Sequence, residues 1–407
     1  MKTLFISGLY SQETMQEYNE LAMGDIQNAS NIFQWGVLEG LYNNNYDFDV
    51  VSFPFLPSFP HKYKQMFTKT GDITIDGNKV GKMLKYCNIY ILKAFFIRYK
   101  LEKYITRWAK RNINEDKLVI LVYSFYLPFI EAANAVKKKF SNIEIVPIIA
   151  DLVDDMMILE NNCNILRRLQ INYVYKRTKE LYKIIDKFVL LSKYMVDMIP
   201  EAKDKYVVLE GLCRVKPLKI AEKGNEKILF YAGTLQEYSC VGDLIDAFLK
   251  IKNPNYRLVI CGHGYFASKI IEASKKDSRI IYKGLVSNDE VISMQQTSTA
   301  LINPRKPNGH LTRYSFPSKT IECLSSGIPM IGYKLEGIPE EYYKHYYCID
   351  DDSENALINI IDKTLSLSQE ELERKAYDAY HFLMNNKTSQ KQLERVMHFI
   401  EDGITEN

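Results

Sequence analysis

The chain has 407 residues, 46% of them hydrophobic, which is enough for two or three separate cores. A formal net charge of +3 is too small for bulk charge to argue for a nucleic-acid partner. Seven cysteines, at positions 87, 163, 213, 240, 261, 323 and 348, form no C-x-x-C pair. A zinc or redox motif is therefore unsupported, and a reducing cytoplasm is the expected setting.

The first eleven residues, MKTLFISGLYS, hold one lysine and a short apolar run, which reads as a core strand rather than a signal peptide. No stretch approaches the ~20 apolar residues of a membrane span. The protein is thus expected to be soluble or peripheral at the inner face of the plasma membrane. Strands are expected over 3–7, 49–52, 118–123, 145–150 and 187–191, consistent with one doubly wound α/β domain at 1–209. Gly8 ends the first strand, and Asn28, Asn31 and Gln34 follow in a polar stretch. These residues either line an acceptor pocket or cap and decorate a helix. Asp151 follows the strand at 145–150. Strand-end carboxylates of such sheets often face a ligand crevice; the alternative is a helix N-cap.

Residues 82–111 contain no proline or glycine. As one helix they would span about 45 Å. At about 100° per residue, Lys82, Lys85, Lys93, Lys100, Lys103, Arg107, Lys110 and Arg111 fall in one sector of roughly 100°. Such a basic stripe suits an anionic membrane surface. A solvated helix face is the plainer reading, and no nucleic-acid motif accompanies the stripe.

Residues 210–226 lack periodicity and carry Pro217, so they are expected to link the domains. Beyond them, short apolar runs alternate regularly with helical segments. Strands are expected over 228–232, 257–261, 279–282, 300–303, 329–333 and 346–349, with helices over 241–252, 265–275, 288–296 and 318–326. This alternation predicts a second parallel, doubly wound domain at 227–385, with a ligand crevice along its strand ends. A last helix at about 389–402, within the segment 386–407, is expected to pack back on the first domain. Three strands run into glycine turns: Gly233-Thr234, Gly262-His263-Gly264 and Gly284-Leu285. Each is a tight strand-to-helix turn or a place where backbone approaches a phosphate closely. None completes G-x-G-x-x-G, because position 267 is Ala267.

Residues 314–322, Tyr-Ser-Phe-Pro-Ser-Lys-Thr-Ile-Glu, carry the most information. Pro317 and Ser318 mark a helix start. Lys319 then sits in the first turn, where the helix dipole disfavours a cation unless an anion lies there. Glu322 shares its face. A cation for phosphate and a carboxylate for sugar hydroxyls, one turn apart, suit a nucleotide-sugar; a helix cap with an ordinary i,i+3 ion pair is the alternative.

The segments FYAGTL (230–235), LVICGHG (258–264), IIYKGLVSNDEV (280–291), LINPR (301–305) and YSFPSKTIECLSSGIPMIG (314–332) resemble, in order and spacing, the donor domain of retaining GT-B glycosyltransferases of the family-four type. The FPSK run is closest to the bacterial capsule and exopolysaccharide branch. The first half resembles that family only through its α/β pattern. The resemblance implies two doubly wound Rossmann-like domains facing a central cleft. It implies donor contacts at Gly233, Thr234, Gly262, Gly264, Leu285, Tyr314, Ser315, Phe316, Pro317, Ser318, Lys319 and Glu322, with Glu322 on the ribose. Two departures stand out. Tyr314 occupies the place of a second family glutamate, eight residues before Glu322. The loop after Gly233 lacks the usual arginine and lysine, leaving Lys319, Arg305 and Arg313 as the available cations.

The implied activity is transfer, with retained anomeric configuration, of a sugar from a nucleotide-diphosphate donor, UDP-sugar on family frequency. The acceptor is a polysaccharide or lipid-linked oligosaccharide. Lys319, Arg305 and Asp151 are the expected catalytic residues, and Gly8, Asn31 and Gln34 the expected acceptor side. No D-x-D-type metal motif stands at a donor-domain strand end, so neither cofactor nor metal is expected. A nucleotide-sugar epimerase on the same architecture, or a non-catalytic sugar-nucleotide-binding protein, is the alternative.

Overall fold

The structure, a computed structural model, describes residues 1–24, 26, 28–154, 165–214, 224–307 and 309–403. The chain divides into two compact units, Met1–Leu212 with Ser389–Asn407, and Cys213–Thr388. The boundary falls within the stretch expected to link the domains; residues 215–223 of that stretch lie outside the described residues.

The first unit is an eight-stranded sheet. Its strands are β1 (Lys2–Ser7), β2 (Phe48–Ser52), β3 (Gly71–Ile75), β4 (Asn78–Met83), β5 (Leu118–Tyr123), β6 (Ile143–Ile149), β7 (Phe188–Leu190) and β8 (Tyr206–Val208), in the order β3-β4-β2-β1-β5-β6-β7-β8. The central strands are continuous Val/Ile/Leu runs because helices cover both faces; every residue of β5 is buried. The helices are α1 (Gln12–Leu21), α2 (Asn28–Asn43), α3 (Tyr90–Arg111), α4 (Leu127–Lys137) and α5 (Ile165–Tyr182).

The β3–β4 hairpin was not among the expected strands, although Ile75-Asp76-Gly77-Asn78 carries its signal. Asp76 and Gly77 both take positive φ, 50° and 77°, as a two-residue turn of the twisted hairpin requires. Gly77→Ala should cost about 1 kcal/mol in chemical denaturation, because the strained φ persists although nothing crowds the position.

The hairpin also corrects the long basic helix. Lys82 lies in β4, paired with Val51, and Lys85 precedes the helix, which begins only at Tyr90. Gly81 fits against Val50, where a Cβ would strike the Val50 carbonyl. Lys82 and Met83 thus belong to the sheet, residues 84–89 connect it to the helix, and α3 spans about 33 Å. Lys93 turns inward to donate to the Leu56 carbonyl at 2.6 Å, and burial pushes its pKa down to about 8. It therefore leaves the solvent-facing stripe.

The second unit is a six-stranded parallel sheet built from β9 (Lys227–Ala232), β10 (Tyr256–Cys261), β11 (Ile280–Gly284), β12 (Ala300–Asn303), β13 (Met330–Tyr333) and β14 (Tyr347–Ile349), in the order β11-β10-β9-β12-β13-β14. Around it lie α6 (Val241–Lys250), α7 (Ala267–Lys276), α8 (Asn288–Gln296), α9 (Gly309–Arg313), α10 (Ser318–Leu324), α11 (Glu354–Ser366) and α12 (Gln369–Asn386). The crossover between β9 and β12 reverses the strand order, which places a ligand crevice at the carboxyl ends of these strands. The last helix, α13 (Ser389–Asp402), belongs to the first unit. It packs closely on α2, where a Cβ at Gly40 would strike Leu393. Lys117 and Lys187 both donate to the Ile400 carbonyl at 2.6 Å, which satisfies the helix end.

Candidate active site

Because β9, β10 and β11 are parallel, their glycine turns share one edge and lace together. The Gly233 N–H donates to the Cys261 carbonyl at 3.1 Å, and the Gly262 N–H to the Gly284 carbonyl at 2.8 Å. The Tyr282 hydroxyl donates to the Gly262 carbonyl at 2.8 Å. Glycine is required by close approach: a Cβ at Gly262, whose φ is 131°, would overlap the Gly233 carbonyl oxygen. A Cβ at Gly233 would overlap Lys319 Nζ.

That second collision locates the lysine. Lys319 leaves the first turn of α10, donates to the Ala232 carbonyl at the end of β9, and lies 4.3 Å from the centre of the Tyr231 ring. The Tyr231 hydroxyl donates in turn to the Thr234 carbonyl at 2.8 Å. Lys319 makes no ion pair with Glu322, so the ordinary i,i+3 pairing is not what this sequence forms. Burial holds the Lys319 pKa below the ordinary lysine value, with Cys323 and Glu322 partly offsetting the shift. The Cys323 thiol behind it is pushed up to about 12 by burial. Glu322 is exposed, yet lines the same small cavity as Ala232, Lys319 and Cys323.

Arg305 follows β12 and comes close to Tyr238 and Cys240 of the Gly233 loop, which partly offset the pKa lowering that its burial causes. One guanidinium nitrogen donates to the Leu311 carbonyl at 3.4 Å, while the buried Nε has no hydrogen-bond partner among the described residues. An unpartnered buried N–H is costly, so the site is short of an acceptor. Arg313, by contrast, pairs with Glu336 at 3.0 Å and lies over Tyr314. The cation-poor loop is thus served by side chains distant in sequence, Arg305 and Lys319.

The remaining donor-side expectations divide. Thr234 and Leu285 stand exposed at the strand-end edge, and Gly264 packs against Leu235. Ser318 is exposed, and Pro317 caps α10. Tyr314 is half-buried, edge-on to His310 at 4.9 Å. Phe316 is a correction: it is buried and packs on Tyr342, so it anchors the turn rather than presenting to a ligand. Ser315 likewise spends its hydroxyl on the Leu311 carbonyl. With only seven residues, α10 is also shorter than expected, which leaves the Lys319 side chain more important than the helix dipole.

In the first unit, Gly8, Asn31 and Gln34 do converge, but their polar groups are already engaged. Gln34 Oε1 accepts from the Gly8 N–H at 2.6 Å, and Asn31 Oδ1 from the Tyr10 N–H at 2.9 Å. Both amides are buried. They hold the loop after β1 rather than offering free groups to an acceptor, and Gly8 is glycine because a Cβ would enter the Phe55 ring. Asp151 is exposed just beyond β6, and its charge adds to the burial that pushes Tyr123 up to about 12. Among the described residues no three His, Cys, Asp or Glu side chains gather as a metal-ligand set. Asp351, in the acidic turn after β14, accepts from the Ser353 N–H at 2.7 Å.

Residues 214–382 match the family model for glycosyl transferases group 1. No curated protein sequence matches the chain. Among solved structures, the chain resembles a lipopolysaccharide outer core galactosyltransferase, WaaB, in its apo form (TM-score 0.62, 15% identity, covering 99% of this chain and 100% of that one). It also resembles a sucrose-phosphate synthase from Thermosynechococcus elongatus (TM-score 0.64, 12% identity, 98% of each chain). A third is a point mutant of S. aureus TarM in complex with Fondaparinux, alpha-GlcNAc-glycerol and UDP (TM-score 0.57, 10% identity, 99% of this chain and 100% of that one). These likenesses establish a GT-B fold, and the matched residues carry the laced glycine turns, Lys319 and Glu322. The match to glycosyl transferases group 1 thus falls within the second unit, and the chain is a glycosyltransferase with GT-B architecture.

Proposed function

We propose that the chain transfers a sugar from a UDP-sugar to a polysaccharide or lipid-linked oligosaccharide, with retained anomeric configuration, as in the capsule and exopolysaccharide branch. The observation that carries this is Lys319. Among the described residues it has no carboxylate partner, and it is held against the laced glycine turns, one helical turn from an exposed glutamate. A diphosphate placed there receives one buried positive charge and nearby backbone N–H donors. Glu322 accepts hydrogen bonds from the ribose hydroxyls. As the bond between the sugar's anomeric carbon and the phosphate oxygen breaks, Lys319 and Arg305 stabilise the departing charge, a role that a divalent cation fills in other enzymes. The acceptor oxygen attacks from the face the diphosphate leaves, and its proton passes to the departing phosphate oxygen. UDP bound to TarM is consistent with the choice of base.

The direct test is release of UDP from UDP-sugars in the presence of glycan acceptors. UDP released only with acceptor supports transfer; sugar isomers formed without one would replace this reading with epimerisation. UDP at ~100 times its Kd should stabilise the protein by about 2.7 kcal/mol, seen as a raised melting temperature. Glu322→Ala should weaken UDP affinity by ~10–100-fold, the worth of charge-assisted hydrogen bonds to a diol. Unchanged affinity would remove Glu322 from the ribose.

A further inference from the structure

Among the described residues eighteen large apolar side chains stand exposed, and eight of them lie on α3 and α5. On α3, Leu92, Phe95 and Tyr99 follow the i, i+3, i+7 spacing of one helix face. That face points roughly opposite the buried one, which carries Ile97, Leu101, Ile105 and Trp108. On α5, Leu166, Leu169 and Tyr173 repeat the same spacing, again opposite the buried Ile171 and Thr178. Each helix is therefore apolar on a side that the fold leaves uncovered. Leu169 is 61% exposed and Phe95 65%, far more than packing against this unit would allow. The two helix starts are neighbours. Tyr90 of α3 bonds to Gln170 of α5, and Arg167 donates to the Tyr90 hydroxyl at 2.9 Å.

The same helices concentrate positive charge. Seven basic residues in α3 and five in α5 stand against one acid each, in a chain whose net charge is only +3. Glu102 pairs with Lys139 at 3.0 Å; of the bases, Arg98 and Arg177 share Glu131, Arg177 also meets Glu180, and Lys179 pairs with Asp154. Beyond the apolar stretch of α3, Lys85, Lys100, Lys103 and Arg107 line one groove with Tyr104, and among the described residues none of the four pairs with a carboxylate. No described helix is long and apolar enough to cross a membrane. An apolar face flanked by unpaired cations, too short to span, is what lies in the plane of an anionic bilayer.

We propose that α3 and α5 form one docking surface for an anionic phospholipid bilayer. Phe95, Tyr99, Leu169 and Tyr173 enter the headgroup boundary, and the Lys85–Arg107 groove holds lipid phosphates. A second copy of the chain is the less favoured occupant, because joining two such faces would oppose like charges without acids to offset them. Nucleic acid would match the cations but leave Leu92, Leu166 and Leu169 without apolar partners.

The test is sedimentation of the full chain with phosphatidylglycerol–phosphatidylcholine vesicles and with pure phosphatidylcholine vesicles. Binding should require phosphatidylglycerol and weaken in high salt as the surface charges are screened. The double variant Phe95→Ser, Leu169→Ser should lower vesicle affinity by about tenfold or more. Both positions are solvent-exposed, so the variant should fold; a melting temperature equal to the parent's verifies this. Ile271→Ser, an exposed apolar site on the second unit, should bind like the parent. Indifference of the parent chain to phosphatidylglycerol overturns the proposal. So does dimerisation in solution that the double variant abolishes while vesicle binding persists. Docking does not depend on the sugar donor: failure of vesicle binding leaves UDP release as it is, and failure of UDP release leaves vesicle binding as it is.

Discussion

Replacing Lys319 by alanine should lower kcat by about 10²–10³-fold, the cost of removing one preorganised charge-stabilising donor, while the melting temperature stays level or rises. Both halves follow from the same surroundings. In the ligand-free protein the ammonium is largely withdrawn from water and compensated by one carbonyl and the Tyr231 ring, which is poor return for a desolvated charge. Its pKa lies below the ordinary 10.5, so the folded chain gives up this proton more readily than the unfolded chain. The unfolded state therefore binds the proton better, and Lys319 costs stability at neutral pH, a cost that fades as pH rises towards 10.5. Alanine removes the cost along with the function. A diphosphate reverses the balance by supplying the missing counter-charge. The alkaline limb of kcat/KM, which reports the free enzyme, should then fall at lower pH than the limb of kcat, which reports the donor complex. Kinetics of Lys319→Ala equal to those of the parent, or a marked loss of melting temperature with normal turnover, would make Lys319 a structural residue and remove the basis of the donor site.

How much of this was legible beforehand depended on whether the signal was local. The second unit's strands read clearly because parallel strands covered on both faces must be continuous apolar runs, and Ala300–Asn303 and α8 fall where periodicity put them. The β3–β4 hairpin escaped because an edge pair such as Gly-Asp-Ile-Thr-Ile and Asn-Lys-Val-Gly-Lys-Met is polar on its open side and short. Its Asp-Gly turn was the available clue. The basic helix was overextended for a related reason: angular arithmetic alone aligns Lys82 and Lys85 with the true helix, and nothing local announces that Gly81 docks on Val50. At the site, the oddity of a lysine in a first turn was visible, but its contact at Ala232, 87 residues upstream, is a property of the sheet. Asn31 and Gln34 were recognisable as polar residues near a strand end. Only the closed loop shows that their amides serve Tyr10 and Gly8.

Gly262→Ala should damage both stability and donor binding. The laced turns leave no room at this position. The new Cβ would occupy the place of the Gly233 carbonyl oxygen, and φ at 131° is a conformation that alanine rarely adopts. Backbone strain of this kind costs about 1–3 kcal/mol. The collision adds to it by pushing β10's end away from β9's, which breaks the Gly233–Cys261 and Gly262–Gly284 bonds together. Lys319 is fixed by the carbonyl preceding Gly233, so its ammonium shifts with the turn. A misplacement of about 1 Å in such a constellation costs on the order of 10²-fold in rate. The expected result is a lower melting temperature combined with loss of the UDP-induced shift. Gly77→Ala separates the two effects, since it strains a comparable φ in the first unit and should lower stability while keeping the full UDP response. If Gly262→Ala loses stability but responds to UDP like Gly77→Ala, the glycine turns only close the fold, and the diphosphate must bind elsewhere.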